Sequence, residues 1–95
     1  MSMKEAYQQK TEAQLDEWNA EIDKMKAKAA KAEADAQLEY NERIEDLRLK
    51  QQVAREKLQE LRDAGEDAWE DLKAGVELAW DSLGEAVRSA KSRFK

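Results

Sequence analysis

The side chains that could carry out chemistry in this sequence are carboxylates, because histidine and cysteine are both absent. Glu17 with Glu21, and Asp35 with Glu39, are spaced four residues apart, which places both members of a pair on one helix face. Such pairs could serve as general acid and base, but they are also typical of a solvated helix face. Without histidine or cysteine, the common Glu-x-x-His and thiolate metal sites cannot form. We therefore expect a non-enzyme with no catalytic residue, cofactor or metal.

The elements that position these carboxylates are expected to be helices. Charged residues make up 41% of the 95 residues, there is no proline, and there are only three glycines. Ala, Glu, Lys, Leu, Arg and Gln, the strongest helix formers, fill long stretches of the chain. Ser2 followed by Glu5 forms a capping box, and no Gly or Pro follows until Gly65. The sequence predicts one helix over residues 3–64, roughly 90 Å long.

An apolar seam runs along this long helix in steps of three or four residues. At some points two steps of four residues follow each other. They insert eleven-residue units into the heptad pattern, and such units reduce the left-handed supercoil of a coiled coil. Within residues 24–36 most positions of the apolar seam are alanines, and two interpretations fit this segment. Either helices approach each other closely over small side chains, or the segment packs weakly and frays first.

Gly65 is the strongest interruption of the helical pattern. It can take the left-handed C′ conformation that ends a helix, which places a turn at about residues 63–67. A second helix is predicted over about 67–93, and it contains an eleven-residue repeat in which Trp69 and Trp80 hold equivalent positions. A helix can also continue through a single glycine at a cost of about 1 kcal/mol, so a continuous rod remains the alternative.

If the chain turns at Gly65, the two helices form an antiparallel helical hairpin or coiled coil, an all-α fold with one domain over residues 1–95. Large apolar residues then face each other or face small ones, as a filled helix interface requires. The residues predicted to pack the hairpin are Ile44, Leu47, Leu58, Leu61, Trp69, Leu72, Val76, Trp80, Leu83, Val87 and Phe94.

The second helix is too short to cover the first, and its end reaches only about Ala36. Large side chains beyond that point would lose about 1.5 to 3 kcal/mol each by staying in water. The residues expected to mediate self-association are Tyr7, Leu15, Trp18, Ile22 and Met25. A sparser stripe of Leu38, Leu49, Val53 and Leu78 could pack hairpins together. We expect a homo-oligomer.

Charge and composition limit the partners of the chain. The formal net charge of −5 argues against sequence-independent nucleic-acid binding. The amphipathic second helix could lie on a membrane surface and protect it, but its carboxylates oppose anionic lipid, so this is the alternative function. A disordered protectant fits the hydrophilicity but not the alignment of Trp69 and Trp80 on one face. With no signal-peptide pattern, cytoplasmic localisation is expected.

Three segments resemble a known family. Leu15-Asp-Glu-Trp18, the Ala- and Lys-rich middle, and the tryptophan repeat over 67–76 and 79–87 are similar to small coiled-coil proteins of a bacterial stress-response family found in cyanobacteria and proteobacteria. The resemblance covers nearly the whole chain. It implies a stress-associated role without catalytic residues. We therefore expect a scaffold or partner-binding protein that self-associates and has an unidentified protein partner.

Overall fold

The computed structural model describes residues 2–93, which form three α-helices. Helix α1 spans Met3–Ala30, α2 spans Ala34–Asp63 and α3 spans Trp69–Arg93. The Oγ of Ser2 caps α1 by accepting a hydrogen bond from the backbone N–H of Glu5 at 3.1 Å. No residue of the described range lies in a strand, so the all-α fold class is confirmed for this range.

The prediction of one helix over residues 3–64 is wrong, because the chain leaves the helical conformation at residues 31–33. Lys31 ends α1 with φ −97° and ψ −5°, and Glu33 is extended with φ −64° and ψ 157°. The N–H of Lys31 donates to the carbonyl of Lys28 at 3.1 Å. This hydrogen bond spans three residues instead of the four of an α-helix, as is common in the last turn of a helix. No glycine or proline marks this break. Its cause is tertiary, since it lets α1 pack against the rest of the chain.

Side-chain contacts establish how α1 lies against α2. Near the start of α1, the Nζ of Lys4 donates to the carbonyl of Arg62 at 3.2 Å. Glu12 forms an ion pair with the Arg62 guanidinium. Farther along α1, Asp23 pairs with Arg48 at 3.0 Å. The beginning of α1 therefore lies beside the end of α2.

Helix α1 also contacts α3 over much of its length. The buried indole Nε1 of Trp80 donates to the carbonyl of Thr11 at 3.2 Å. Nearer the end of α1, Glu21 pairs with Lys91 at 3.5 Å. Because α1 contacts both other helices, the molecule measures 51 × 19 × 18 Å along its principal axes. This length is well short of the roughly 90 Å expected for an unbroken helix over residues 3–64.

The connection between α2 and α3 occupies residues 64–68, close to the predicted turn. The expected left-handed conformation of Gly65 is wrong, because none of the described glycines has a positive φ. Ala64 instead leaves α2 in an extended conformation, with φ −73° and ψ 145°. The N–H of Ala68 then donates to the carbonyl of Gly65 at 3.0 Å. Helix α3 begins at Trp69, just after this short hydrogen-bonded turn.

The indole of Trp18 on α1 lies directly against Gly84 on α3. A Cβ added at Gly84 would be 2.9 Å from Cζ2 of Trp18, closer than an ordinary van der Waals contact. The rings of Trp18 and Trp80 have centroids 6.4 Å apart and an interplanar angle of 54°, which is within the favourable range for tilted aromatic pairs. Glycine at position 84 is therefore required by the close approach of α1.

A polar network lies inside the interface between α1 and α2. Gln51 is only 1% exposed, and its Nε2 donates to Oδ1 of Asn19 at 2.8 Å. Arg48 donates to Oε1 of Gln51 at 3.2 Å and to Asp23 at 3.0 Å. An unpaired buried amide costs about 1 to 3 kcal/mol. This network therefore favours one register of α1 on α2 over neighbouring registers.

The substitutions Gly75→Ala and Gly84→Ala form a matched pair that tests the docking of α1, since both glycines lie within α3. A Cβ added at Gly75 meets nothing within 4 Å. Replacing a glycine inside a helix there should raise the free energy of unfolding by about 0.5 to 1 kcal/mol. At Gly84 we expect a net loss, because overpacking against Trp18 costs about 1 to 3 kcal/mol. Urea denaturation followed by circular dichroism measures both. Equal stabilisation by the two substitutions would contradict the contact.

Candidate functional site

The residues predicted to mediate self-association lie inside the single chain. Ile22, Met25 and Leu15 are buried, with 0%, 3% and 7% of their surface exposed. Tyr7 and Trp18 are partly buried against the same core. The premise that these side chains lack an intrachain partner is wrong, because the break at residues 31–33 brings them back onto α2 and α3. Self-association itself stays a prediction.

The residues predicted to pack the hairpin also belong to the core of the chain. Leu72 is partly buried and packs against this core, and Phe94 lies outside the described residues. The remaining members are buried, and they are Ile44, Leu47, Leu58, Leu61, Trp69, Val76, Trp80, Leu83 and Val87. The tryptophan face of α3 is therefore covered by protein within one chain.

The carboxylate pairs considered for acid–base chemistry lie on exposed or half-buried helix faces. Glu17, Asp35 and Glu39 are exposed, and Glu21 forms ion pairs with Lys24 at 3.7 Å and with a lysine of α3 at 3.5 Å. Across residues 2–93, no group of carboxylates is arranged to hold a metal ion. Within the same range, no helix has an apolar stretch long enough to cross a bilayer.

Tyr7 is a titratable group whose environment shifts its ionisation. Burial raises the pKa of Tyr7 above its usual value of 10.0, and the negative charges of Glu77 and Asp81 raise it further. Its ring lies 5.8 Å from that of Trp69, with the Nζ of Lys73 at 5.2 Å from the Tyr7 ring centroid. The neutral phenol is therefore part of the packing between α1 and α3.

A groove lies between α2 and α3 on the surface of the chain. It has a volume of about 440 Å³, and we call it the α2–α3 groove. Its lining residues are Lys50, Val53, Lys57, Gly75, Leu78, Ala79 and Ser82. A second crevice, of about 380 Å³, lies between α1 and α2, but its Glu12 and Arg62 already pair with each other.

The α2–α3 groove exposes large apolar side chains. Leu78 is 72% exposed and Val53 is 48% exposed. Leu49, one turn before Val53 on α2, is 59% exposed. Gly75 adds no side chain, and nothing lies within 4 Å of the position that its Cβ would occupy. These exposed apolar side chains stand out on a protein in which 41% of the residues are charged.

Two lysines border the groove on the α2 side. Lys50 pairs with Asp46 at 3.0 Å and Lys57 pairs with Glu60 at 3.7 Å, in both cases within α2. Exposed pairs of this kind contribute only about 0.3 to 0.5 kcal/mol each. Lys50 and Lys57 lie seven residues apart, or about 10 Å along the helix. Their ammonium groups can therefore exchange these partners for carboxylates of a bound molecule.

Sequence reasoning found the apolar stripe of the groove but missed Gly75. The eleven-residue repeat contained a signal, because Gly75 in the first copy corresponds to Ala86 in the second. A glycine where the repeat tolerates alanine indicates that space, rather than helix stability, matters at that point. Leu38 and Leu49, the other two members of the stripe, are 67% and 59% exposed but do not line the groove.

Comparison with known proteins gives no relative for this chain: no family model, curated protein or solved structure matches it.

The substitutions Ile22→Ala and Leu78→Ala test whether the predicted self-association residues are buried within one chain. Ile22 is fully buried, so its truncation should cost about 2 to 5 kcal/mol of unfolding free energy. Leu78 is largely exposed, and its truncation should change stability by no more than about 0.5 kcal/mol. Denaturation at two protein concentrations tenfold apart measures both effects. If Ile22→Ala lowers the free energy of unfolding only at the higher protein concentration, Ile22 is buried between chains instead.

Proposed function

We propose that this chain is a non-enzymatic, stress-associated scaffold or partner-binding protein of the cytoplasm, and that its α2–α3 groove binds one α-helix of another protein. The observation that carries the proposal is the exposure of Val53 and Leu78 in a groove that Gly75 also lines. These side chains contribute little to folding where they are. Covering them would bury apolar area worth about 25 cal/mol per Å².

A helix suits the α2–α3 groove better than an extended peptide. Two neighbouring helices leave a furrow into which the side-chain ridge of another helix fits. Gly75, Ala79 and Ser82 are small residues on the α3 side of the groove, so a partner helix can approach closely. Leu78 and Val53 then contact its apolar face. This arrangement adds a fourth helix to the three of the chain.

The partner helix is expected to carry carboxylates beside its apolar stripe. Lys50 and Lys57 stand two helical turns apart at the edge of the groove, so acidic residues seven positions apart on the partner would match them. Opposite charges at the edge of an interface mainly set orientation and association rate. The specificity of binding would therefore depend on these lysines more than its affinity does.

The proposal retains the antiparallel pairing of α2 with α3 and the self-association of the chain. Residues Arg43 and Leu47 of α2 share a crevice with Ala86 and Ala90 of α3. The later α2 residues share the α2–α3 groove with the earlier α3 residues. This order of neighbours supports an antiparallel pair. The stress-associated setting rests on the sequence resemblance of Leu15-Asp-Glu-Trp18 and the tryptophan repeat alone, since no family model matches the chain.

The membrane-surface function is the rival proposal, and it needs a larger rearrangement. Trp69, Val76 and Trp80 would have to contact lipid, but they are 6%, 1% and 5% exposed. Releasing them would give up about 1.5 to 3 kcal/mol of burial for each large side chain before any lipid is bound. Binding at the α2–α3 groove needs no helix to leave the bundle.

The double substitution Val53→Glu with Leu78→Glu should abolish partner binding without unfolding the chain. Both side chains are exposed, so circular dichroism and the melting temperature should change little. Affinity capture from stressed and unstressed cells of the source, followed by mass spectrometry, identifies the bound proteins. Purified candidates are then titrated against both forms of the chain.

Leu38→Glu is the matched control for this experiment. Leu38 is an exposed apolar residue of α2 that does not line the groove. The account predicts a partner that Leu38→Glu keeps and the double substitution loses. A set of bound proteins that the double substitution leaves intact would overturn the groove as the binding site.

A further inference from the structure

The break between α1 and α2 lies in a segment that has every local reason to be helical. Residues 31–33 are Lys, Ala and Glu, all good helix formers, and alanines flank them on both sides. Glu33 occupies the N-cap position of α2, yet its side chain makes no capping hydrogen bond. Across the break, Nε2 of Gln37 donates to the carbonyl of Ala30 at 3.2 Å, and the packing of α1 on its own α2 and α3 supplies the remaining interactions that keep this segment bent.

A second copy of the chain could supply the same packing surface to α1. The contacts of Trp18 with Gly84, of Trp80 with Thr11 and of Asn19 with Gln51 lie between helices joined only through the linker. If α1 and α2 became one continuous helix, each α1 would meet identical α2 and α3 surfaces on another copy. Exchange of an identical element costs little, because only the linker changes.

The register of α1 on α2 fits such an exchange. The contacting pairs Lys4 with Arg62, Asn19 with Gln51 and Asp23 with Arg48 have sequence midpoints between residues 33 and 36. Two straightened helices running in opposite directions would keep this register around a two-fold axis close to the linker. No pair would have to slip, so every buried group would retain its partner.

Charges on either side of the linker favour this antiparallel crossing. The segment 24–31 contains four lysines and no acid, and the segment 33–42 contains four acids and no base. In two antiparallel helices that cross at the linker, the basic segment of each lies against the acidic segment of the other. Opposite charges across a helix interface select this orientation over a parallel one.

We infer that residues 31–33 are a hinge and that two copies of the chain exchange α1, with α1 and α2 fused into one helix over residues 3–63. The partner at this surface is a second copy of the chain. The inference deepens the self-association within the proposed function but does not use the α2–α3 groove. The closed single chain prevails at low concentration, and the exchanged dimer forms as concentration rises.

Ala34→Pro should block the exchange while keeping the closed chain folded. Ala34 is the first residue of α2, where proline is well tolerated. Glu33 before it already has the extended conformation, with φ −64° and ψ 157°, that a residue preceding proline prefers. In a continuous helix the same proline would weaken dimerisation by about a hundredfold for each hinge. Ala34→Gly is the milder control, and it should weaken dimerisation by about fivefold for each hinge.

Sedimentation equilibrium from micromolar to millimolar concentration measures these effects. The expected order of dimer stability is wild type, then Ala34→Gly, then Ala34→Pro, with unchanged helicity at low concentration. No dimer of the wild-type chain, or a dimer equally stable in Ala34→Pro, would overturn the inference.

A cross-link then tells an exchanged dimer from one in which closed chains pack side by side. Glu21 and Lys91 pair at 3.5 Å between α1 and α3, and the chain has no native cysteine. A short bismaleimide should join Glu21→Cys to Lys91→Cys between chains in the isolated dimer and within one chain in the monomer. Cross-links within single chains of the dimer would overturn the exchange.

The groove substitutions separate this inference from the proposed function. An exchanged dimer should survive Val53→Glu with Leu78→Glu, because neither residue lies in the exchanged interface. If this double substitution abolishes the dimer, the copies associate through the α2–α3 groove and the hinge inference is wrong. Loss of exchange alone would leave partner binding at the groove intact.

Discussion

The position of α1 depends on the contact between Trp18 and Gly84. Only a hydrogen at position 84 leaves room for the indole, since a Cβ there would lie 2.9 Å from Cζ2 of Trp18. Once Trp18 occupies this place, Trp80 lies beside it and donates its buried indole N–H to the carbonyl of Thr11 at 3.2 Å. The contact of Trp18 with Gly84 and the hydrogen bond from Trp80 to Thr11 both join the first helix to the third, and they require the chain to bend at residues 31–33.

Apolar contacts alone would leave the register of α1 on α2 poorly defined, because alanines and similar side chains repeat along both helices. The network of Gln51, Asn19 and Arg48 removes this ambiguity, since a shift by one turn would leave a buried amide without its partner. Polar groups inside helix interfaces often serve to specify register. Here the same network would specify the register whether α1 lies on its own chain or on a second copy.

The sequence was sufficient to predict the all-α fold class, the turn near residue 65 and most of the buried face of α3, because periodicity and helix propensity act locally. The break at residues 31–33 could not be predicted in this way. Lys31, Ala32 and Glu33 favour a helix, and the free energy that bends them comes from burying Trp18 and Ile22 far away in the sequence. The exposed apolar residues of the groove could be identified from the sequence. Whether they lie near Gly75 depends on how α2 and α3 face each other. The antiparallel hairpin expected from a turn at Gly65 already brings these parts of α2 and α3 together, but the sequence pattern did not single out Gly75.

Helix α1 is part of a compact chain, because it packs against both α2 and α3. Small-angle X-ray scattering of the monomer at low concentration, with mass measured in line, tests this claim most directly. The structure predicts a radius of gyration close to the Cα value of 15.3 Å and a longest dimension near 51 Å. A continuous helix over residues 3–64 would instead give a particle roughly 90 Å long with a radius of gyration of roughly 26 Å. That result from a single chain would contradict the docking of α1.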